Sequence, residues 1–241
     1  MKIKKYVQSA LRSVGYDLMS LAYSRDYVYD RHLQHVLRRW NISSVLDIGA
    51  NIGGYGKLLR AIGYKGAVHS FEPCSAPFDL LSQAAIGDKK WATHQIGLSD
   101  RAGSVEINIM AGSELNSVLQ PSESSERMSV VGTEVIQMST LDTLDLPVDW
   151  GRAFVKIDTH GHDGAVMSGG AIRLQQIPLL QTAISFLPIY QGMPTFIETL
   201  TFLTENGFDV LGMFPVSRDD EGRVREFDCL CLNRAFAVRH S

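Results

Sequence analysis

The sequence predicts an α/β protein with a Rossmann-like, doubly wound and mostly parallel sheet of seven strands. From residue 44 onward, apolar strand-like runs alternate with helix-like stretches, which indicates a parallel sheet covered on both faces. A glycine-rich turn at residues 49–54 follows the first strand, at the place where open α/β sheets bind ligands. A chain of 241 residues is long enough for one sizeable core of this kind.

The bulk composition indicates a globular protein without a nucleic-acid partner. Apolar residues make up 45% and charged residues 20%, and the net charge of −3 gives no basic footprint. No apolar run approaches the roughly 20 residues that cross a bilayer, and no signal-peptide core follows the basic N-terminus. The three cysteines have no metal or redox-motif spacing, so we expect reduced thiols in a cytoplasmic protein.

The first 43 residues are predicted to form an N-terminal helical cap in front of a domain over residues 44–241. Apolar residues recur with helical spacing from Ile3 through Val7 and Val14 to Leu18, and a second helix is predicted at 27–40. The alternative for residues 1–20 is a basic amphipathic helix that rests on the inner face of the membrane as a peripheral contact.

The elements after the cap follow from periodicity and turn residues. The first half has strands at 45–48, 67–71 and 92–96 and helices at 55–62 and 75–85. Period-2 alternation at 105–109 and 135–138, around an exposed loop at 120–129, predicts an antiparallel insertion beside the ligand site. The rest has strands at 153–157, 182–187, 208–214 and 227–232 and helices at 164–174 and 196–206, the last two strands pairing antiparallel at the sheet edge.

The glycine turn and two carboxylates predict the ligand. The turn has neither the dinucleotide-binding glycine spacing nor a Gly-Lys-Ser/Thr phosphate loop, so it favours a nucleotide-like ligand without a pyrophosphate. Glu72 ends the next strand, where a carboxylate accepts hydrogen bonds from ribose hydroxyls. Asp47 lies inside an apolar strand, which is costly unless it faces a cationic group or holds the turn through backbone N–H groups.

Four segments in order resemble the FkbM-type methyltransferases, which use S-adenosylmethionine on a class I methyltransferase fold. They are Asp-Ile-Gly-Ala-Asn-Ile-Gly from Asp47, Phe-Glu-Pro from Phe71, Leu-Asp-Thr-Leu from Leu141 and Val-Lys-Ile-Asp from Val155, with further agreement to about residue 233. The resemblance implies a methyl donor site and an acceptor hydroxyl on a sugar, glycolipid or polyketide. By matching position the donor would contact the following residues: Asp47, Gly49, Ala50, Asn51 and Gly53 at its methionine and ribose, Glu72 and Pro73 at the ribose diol, and Leu98 or Ser99 near adenine.

Candidates for proton transfer lie just after the strand at 153–157. An alcohol hydroxyl is a poor nucleophile until a base accepts its proton, and histidine suits that role near neutral pH. His160 is the first candidate, with Asp158 as the base itself or as the group that orients it, and His162 as a further catalytic candidate. The alternative for His162 is that it begins and caps the next helix together with Asp163. Lys156 is predicted to neutralise Asp158, with acceptor binding as its alternative.

Two departures from the family pattern concern the acceptor side. The family usually has Gln-Gly-x-Glu where this chain has His-Gly-His-Asp from His160, and often a Glu near Ala183. Asn116, Ser117 and Tyr190 are the predicted acceptor-binding residues, with turn formation as the alternative for the first two. A divalent metal on the Asp158–Asp163 segment is not favoured, because closeness in sequence is not coordination geometry.

The sequence therefore predicts an S-adenosylmethionine-dependent O-methyltransferase that acts on a hydroxyl of a sugar, glycan or glycolipid, with inversion at the transferred carbon. The first alternative is O-methylation of a polyketide or another small secondary metabolite. The second is a non-catalytic binding module on the same fold. The intact turn together with Glu72 argues against the second.

Overall fold

The computed structural model describes residue 13, residues 27–122 and residues 129–237. The predicted helix over 1–20, with its membrane alternative, and most of the predicted loop at 120–129 lie outside the described residues. The helices are α1 (Tyr27–Arg39), α2 (Gly54–Ala61), α3 (Ser75–Ala85), α4 (Asp163–Ser168), α5 (Ala171–Leu174), α6 (Phe196–Glu205) and α7 (Arg234–Ala237). The strands are β1 (Ser44–Ile48), β2 (Ala67–Phe71), β3 (Trp91–His94), β4 (Gly97–Leu98), β5 (Gly103–Met110), β6 (Val130–Ser139), β7 (Ala153–Ile157), β8 (Leu179–Ser185), β9 (Phe208–Arg218) and β10 (Val224–Asn233).

The main sheet of the described chain has seven strands in the order β3-β2-β1-β7-β8-β10-β9. The pairs from β3 through β8 are parallel, whereas β10 runs antiparallel to both β8 and β9. Strand order reverses at β1, which lies between β2 and β7, and an open crevice at the carboxyl ends of the strands follows from that reversal. The predicted fold class is confirmed, including the antiparallel pair whose outer strand forms the sheet edge.

Two apolar cores lie on opposite faces of this sheet. Alternate residues of the strands supply them, because successive side chains of a strand point to opposite faces. Val45 and Phe154 pack with α1 and α2 on one face. Leu46 and Val155 pack with α4 and α5 on the other. Helix α1 therefore shares the core of the sheet domain, and the predicted division into a cap over 1–43 and a domain over 44–241 stays a prediction.

Local sequence explains where the helices begin and end. Leu33, Val36 and Leu37 of α1 are buried at helical spacing, and Asn41 takes the left-handed conformation (φ 49°) just past the helix. Helix α6 begins with a capping box, in which the Thr195 hydroxyl accepts the Glu198 N–H and the Glu198 carboxylate accepts the Thr195 N–H.

Several element boundaries differ from the sequence-based prediction; β6, for example, begins at Val130 and not at 135. The helix predicted at 164–174 is two helices separated by Gly169 and Gly170, and the chain at Gly169 passes so close to the Ser99 carbonyl that a Cβ there would lie 1.9 Å from its oxygen. Strand β8 begins at Leu179, three residues before the predicted start at Thr182, and ends at Ser185. The later start would have left Gln181 outside the strand, although Gln181 is fully paired within it.

The predicted insertion forms a second, three-stranded sheet in the order β4-β6-β5. Strands β5 and β6 are antiparallel, and the short β4 pairs parallel with β6. Ile107, Ile136 and Cys74 form a small core that fastens this sheet next to the carboxyl end of β2. The insertion therefore forms one wall of the crevice.

Candidate active site

A cavity of about 870 Å³ opens at the carboxyl ends of β1, β2, β7 and β8. Its size lies within the roughly 300–1,000 Å³ of small-molecule sites. The lining falls into two groups. The turn lobe is formed by Ile48, Gly49, Ala50, Asn51, Phe71, Glu72, Pro73, Ile96, Gly97, Leu98, Ile107, Ile136 and Met138. The tyrosine lobe is formed by Tyr29, Tyr55, Gln181, Met213, Phe214, Pro215, Val216 and Asp228. Lys156 joins the two lobes, because its ammonium lies 3.4 Å from the Gly49 carbonyl and 5.3 Å from the centroid of the Tyr55 ring. Asp158 and His160 follow it along the cavity lining.

The backbone of the turn lobe requires glycine at its first position. Gly49 has φ +80°, and a Cβ there would lie 1.9 Å from the carbonyl oxygen of Asp158. The Gly49 and Ala50 N–H groups both donate to the Phe71 carbonyl, which ties the turn to the end of β2. Asn51 is also left-handed, with φ 46°, a conformation that asparagine tolerates better than most residues. The turn therefore packs closely against the end of β2 and against the backbone that follows β7.

Glu72 lies at the floor of the turn lobe with both carboxylate oxygens held. One oxygen accepts the Asn51 N–H at 2.9 Å and the other accepts the Cys74 N–H at 3.0 Å. Burial raises the pKa of Glu72 above its ordinary value, although these two N–H groups act to lower it. A buried carboxylate of this kind gains from further hydrogen-bond donors in the cavity, and a ribose diol would supply two.

The far wall of the turn lobe is apolar and suits a flat heterocycle. Leu98 is buried and lines the cavity, together with Phe71 and Met138. Ser99 lies behind this wall, where its hydroxyl is 2.9 Å from Nε2 of His162. His162 lines the cavity and occupies the N-cap position of α4, where its side chain makes no capping hydrogen bond, and burial lowers the pKa of its imidazole.

Asp47, Lys156 and Gln181 form a polar row across three neighbouring strands in one register. The Lys156 ammonium lies 3.1 Å from Asp47 and 3.3 Å from Asp158. Burial alone would lower the pKa of Lys156, but the two carboxylates raise it above its ordinary value. Asp47 is fully buried and outside the cavity lining, and it contacts the Lys156 ammonium and the Ser70 hydroxyl, which donates to it at 3.3 Å. Lys156 therefore neutralises Asp47 as well as Asp158.

His160 occupies the junction of the two lobes. Its Nε2 lies 3.8 Å from the Asp158 carboxylate, and its side chain is 20% exposed. Burial would raise the pKa of Asp158, but Lys156 and then His160 bring it below its ordinary value. The backbone at His160 is left-handed, with φ 50°. An imidazole thus faces the cavity beside an ionised carboxylate.

Of the predicted acceptor residues, Asn116 and Ser117 line the cavity and Tyr190 lies behind it. The Ser117 hydroxyl donates to the His160 carbonyl at 2.8 Å, and the Asn116 side-chain oxygen accepts the Met110 N–H. The Tyr190 hydroxyl donates to the Leu115 carbonyl at 2.6 Å. The Ser117 contact fastens the insertion to the loop that carries His160, and the Tyr190 contact fastens it to the segment after β8.

The tyrosine lobe contains residues that sequence reasoning did not assign to the site. The Tyr29 and Tyr55 hydroxyls lie 2.8 Å and 3.1 Å from the side-chain oxygen of Gln181, and burial raises the pKa of both phenols. Burial and then Asp158 raise the pKa of the nearby Asp228, and the Gln181 side chain acts to lower it. For Asp228 the available signal was the one used for Asp47, since Asp228 is a charged residue within the apolar predicted strand at 227–232. Gln181 lies just before the predicted strand at 182–187 and gave no such signal.

The described parts of the chain contain no metal-binding group and no membrane-spanning helix. No group of three or more histidine, cysteine, aspartate or glutamate side chains there has an arrangement that could hold a metal ion. No helix in those parts of the chain is long and apolar enough to cross a membrane. The three cysteines are buried thiols without disulfides.

A glycine turn, a ribose-type carboxylate and an adjacent apolar wall are the features expected of a methyl-donor site. The model of the methyltransferase FkbM domain matches residues 47–210 of the chain. The chain belongs to the FkbM methyltransferase family. The predictions of family, of a methyltransferase and of S-adenosylmethionine as its donor are thereby confirmed. The match includes the turn, Glu72 and the His160 loop.

Solved structures with a similar fold are distant from this chain. The magnesium protoporphyrin IX methyltransferase of Synechocystis PCC 6803, solved with S-adenosylmethionine, is 13% identical over 95% of this chain and 96% of its own, with a TM-score of 0.47. The 1,6-didemethyltoxoflavin N1-methyltransferase of Burkholderia thailandensis is 11% identical over 96% and 87%, with a TM-score of 0.48. A methyltransferase of Mesorhizobium loti is 12% identical over 82% and 96%, with a TM-score of 0.45. No curated protein sequence matches this chain.

Proposed function

We propose that this FkbM methyltransferase methylates a hydroxyl of a sugar, glycan or glycolipid, with His160 as the general base. The observation that carries the proposal is the Asp158–His160 pair at the junction of the two lobes. A donor held in the turn lobe and an acceptor held in the tyrosine lobe would meet there. The imidazole is the group at that junction best suited to accept an alcohol proton near neutral pH.

The turn lobe would hold the donor through residues that fit it. Glu72 would accept the ribose hydroxyls, Leu98 and Pro73 would pack on the adenine, and the turn at Gly49–Asn51 would contact the rest. When bound, S-adenosylmethionine supplies a sulfonium methyl group, whose transfer to oxygen forms a C–O bond as the C–S bond breaks and its electrons stay on sulfur. Asp47 acts beneath this site by holding Lys156.

Asp158 orients the base and does not replace it. Its ion pair with Lys156 keeps its pKa below the ordinary value, which makes it a weak proton acceptor. A carboxylate beside His160 stabilises the imidazolium that forms when the ring takes the hydroxyl proton. The Ser117 hydroxyl donates to the His160 carbonyl and so holds the His160 backbone in place, which gives the imidazole ring a defined position. His162 supports the turn-lobe wall through Ser99.

The base is tested with His160→Asn. Asparagine tolerates the left-handed backbone at this position, so the variant removes the imidazole with less strain than alanine would cause. We expect turnover to fall by about 10²-fold or more while the affinity for S-adenosylmethionine, measured by calorimetry, stays nearly constant. His35→Asn changes an exposed histidine outside the cavity and serves as the control. Near-normal turnover of His160→Asn would remove His160 from the mechanism.

The acceptor class is tested by mass spectrometry of glycans and glycolipids from a strain that lacks the protein. We expect one species to lose a single methyl substituent relative to the parent strain, and the same species to accept labelled methyl groups from the purified protein. An unchanged glycan profile, with a methyl lost from a small secondary metabolite, would instead support the polyketide-type alternative.

A further inference from the structure

The tyrosine lobe is bounded by side chains from five elements of the sheet domain. Tyr29 comes from α1, Tyr55 from α2, Gln181 from β8, Phe214 from β9 and Asp228 from β10. The Tyr29 and Phe214 rings meet edge to face with centroids 5.2 Å apart. The lobe thus combines aromatic walls with a few fixed polar groups, as in sites for small organic rings.

Gln181 and Asp228 lie on the same face of the neighbouring strands β8 and β10. The Gln181 amide oxygen accepts hydrogen bonds from the two tyrosine hydroxyls, which leaves its NH2 group as a donor in the lobe. Asp228 pairs in register with Ala183 of β8. At this position β10 therefore supplies a carboxylate, whereas β8 has an apolar side chain.

The Lys156 ammonium is already paired with two other carboxylates. Its ammonium contacts both Asp47 and Asp158, so it leaves Asp228 without a full counter-charge. Burial and then Asp158 raise the pKa of Asp228 to about 6. Among the described lining residues the carboxyl groups outnumber the ammonium of Lys156, and they belong to Asp30, Glu72, Glu114, Asp158 and Asp228. A further negative charge placed here would be strongly repelled.

We propose that Asp228 selects the acceptor by charge, so that the tyrosine lobe takes an uncharged hydroxylated ring and rejects the same ring carrying a carboxylate or a phosphate. Hydroxyl groups of the ring donate hydrogen bonds to the Asp228 carboxylate. An ionised carboxylate or phosphate on the ring has no proton to donate there. This inference rests on the proposed function, because it places the acceptor in the tyrosine lobe.

Matched pairs of sugars test the selection. The probes are the methyl glycosides of glucose, galactose and mannose, each compared with its uronic acid and its 6-phosphate. Binding is measured by saturation-transfer NMR on protein saturated with S-adenosylhomocysteine, and transfer is measured with labelled S-adenosylmethionine. We expect the neutral member of a pair to be preferred by about tenfold or more.

The variants assign that preference to one carboxylate. Asp228→Asn should reduce the preference by about threefold or more, because the amide has the same shape without the charge. Asp145→Asn removes an exposed carboxylate outside the cavity and should leave the preference unchanged. If the Asp228 variant does not fold, the comparison of neutral and anionic rings on the wild-type protein still tests the selection by charge.

Three results would overturn the inference: an anionic member that binds as well as its neutral partner, a preference that Asp228→Asn leaves intact, or no binding of any neutral ring. Calorimetry with S-adenosylmethionine separates these results from a failure of the proposed function. If the donor binds and anionic rings are methylated, only the charge selection is wrong. If the donor does not bind, the proposed function itself fails.

Discussion

The two lobes of the cavity are built in different ways. The turn lobe depends on backbone geometry and on residues close together in sequence, from Gly49 to Glu72, with the insertion as its outer wall. The tyrosine lobe depends on single side chains that the fold brings together from Tyr29 to Asp228. The side chains of the tyrosine lobe can be substituted without moving the backbone. We therefore expect the proposed donor site to depend on the backbone of the turn, and the proposed acceptor site to depend on a few single side chains.

The largest expected effect concerns the backbone of the turn lobe. Gly49→Ala places a Cβ against the Asp158 carbonyl in a left-handed conformation, so we expect a loss of roughly 3–5 kcal/mol in the free energy of unfolding. We also expect donor binding to disappear in calorimetry. Gly164→Ala has open space around its Cβ and lies outside the cavity, so it should behave like wild type. If Gly49→Ala has the stability and donor affinity of the wild type, the turn lobe does not depend on its backbone and the distinction between the lobes is wrong.

The next effect concerns the ion pairs between the lobes. Lys156→Met leaves Asp47 and Asp158 without their cation, and removal of one partner from a buried pair costs about 3–5 kcal/mol. Without this cation, burial raises the pKa of Asp158 in the folded state, so stability is lost as pH increases and the deficit is larger at pH about 8 than at pH about 5. Urea unfolding at both pH values measures this. Asp47→Asn in the same chain should restore part of the loss, and a deficit independent of pH would contradict the assignment.

A smaller effect concerns the donor contact at Glu72. Glu72→Gln replaces a carboxylate that accepts two backbone N–H groups, and we expect the affinity for S-adenosylmethionine to fall by about 10–100-fold. Glu134→Gln is the matched control, since Glu134 also accepts a backbone N–H, from Ser75, but lies outside the cavity lining. Equal affinities of the two variants, measured by calorimetry, would show that the turn lobe does not hold the donor ribose.

The smallest effect concerns Glu226, which lies on β10 next to the tyrosine lobe. Burial and then Asp158 raise its pKa to about 8, so the folded protein favours the protonated form and loses stability as pH rises from about 4 to 8. Glu226→Gln removes that loss and should raise the melting temperature by roughly 2–6 °C at pH about 9, with little change at pH about 5. A shift of equal size at both pH values would argue against the charge excess near this lobe.

The sequence predicted the parts of the molecule that rest on local patterns. Strand and helix order, the Gly49 turn and Glu72 follow from periodicity and short-range spacing, and the structure places Glu72 at the turn as expected. Gln181 and Asp228 could not be assigned in the same way, because their roles depend on which strands become neighbours. The late predicted start of β8 also removed Gln181 from the strand. Asp47 was assigned to the donor, although its partner Lys156 comes from a different strand.

A crystal structure with S-adenosylhomocysteine tests the two-lobe account most directly. The account predicts that the ribose hydroxyls lie within hydrogen-bond distance of the Glu72 carboxylate, that adenine packs near Leu98, and that the space between Tyr29, Tyr55 and Asp228 stays free for the acceptor. A ligand bound with its adenine or homocysteine portion among Tyr29, Tyr55 and Asp228 would contradict it.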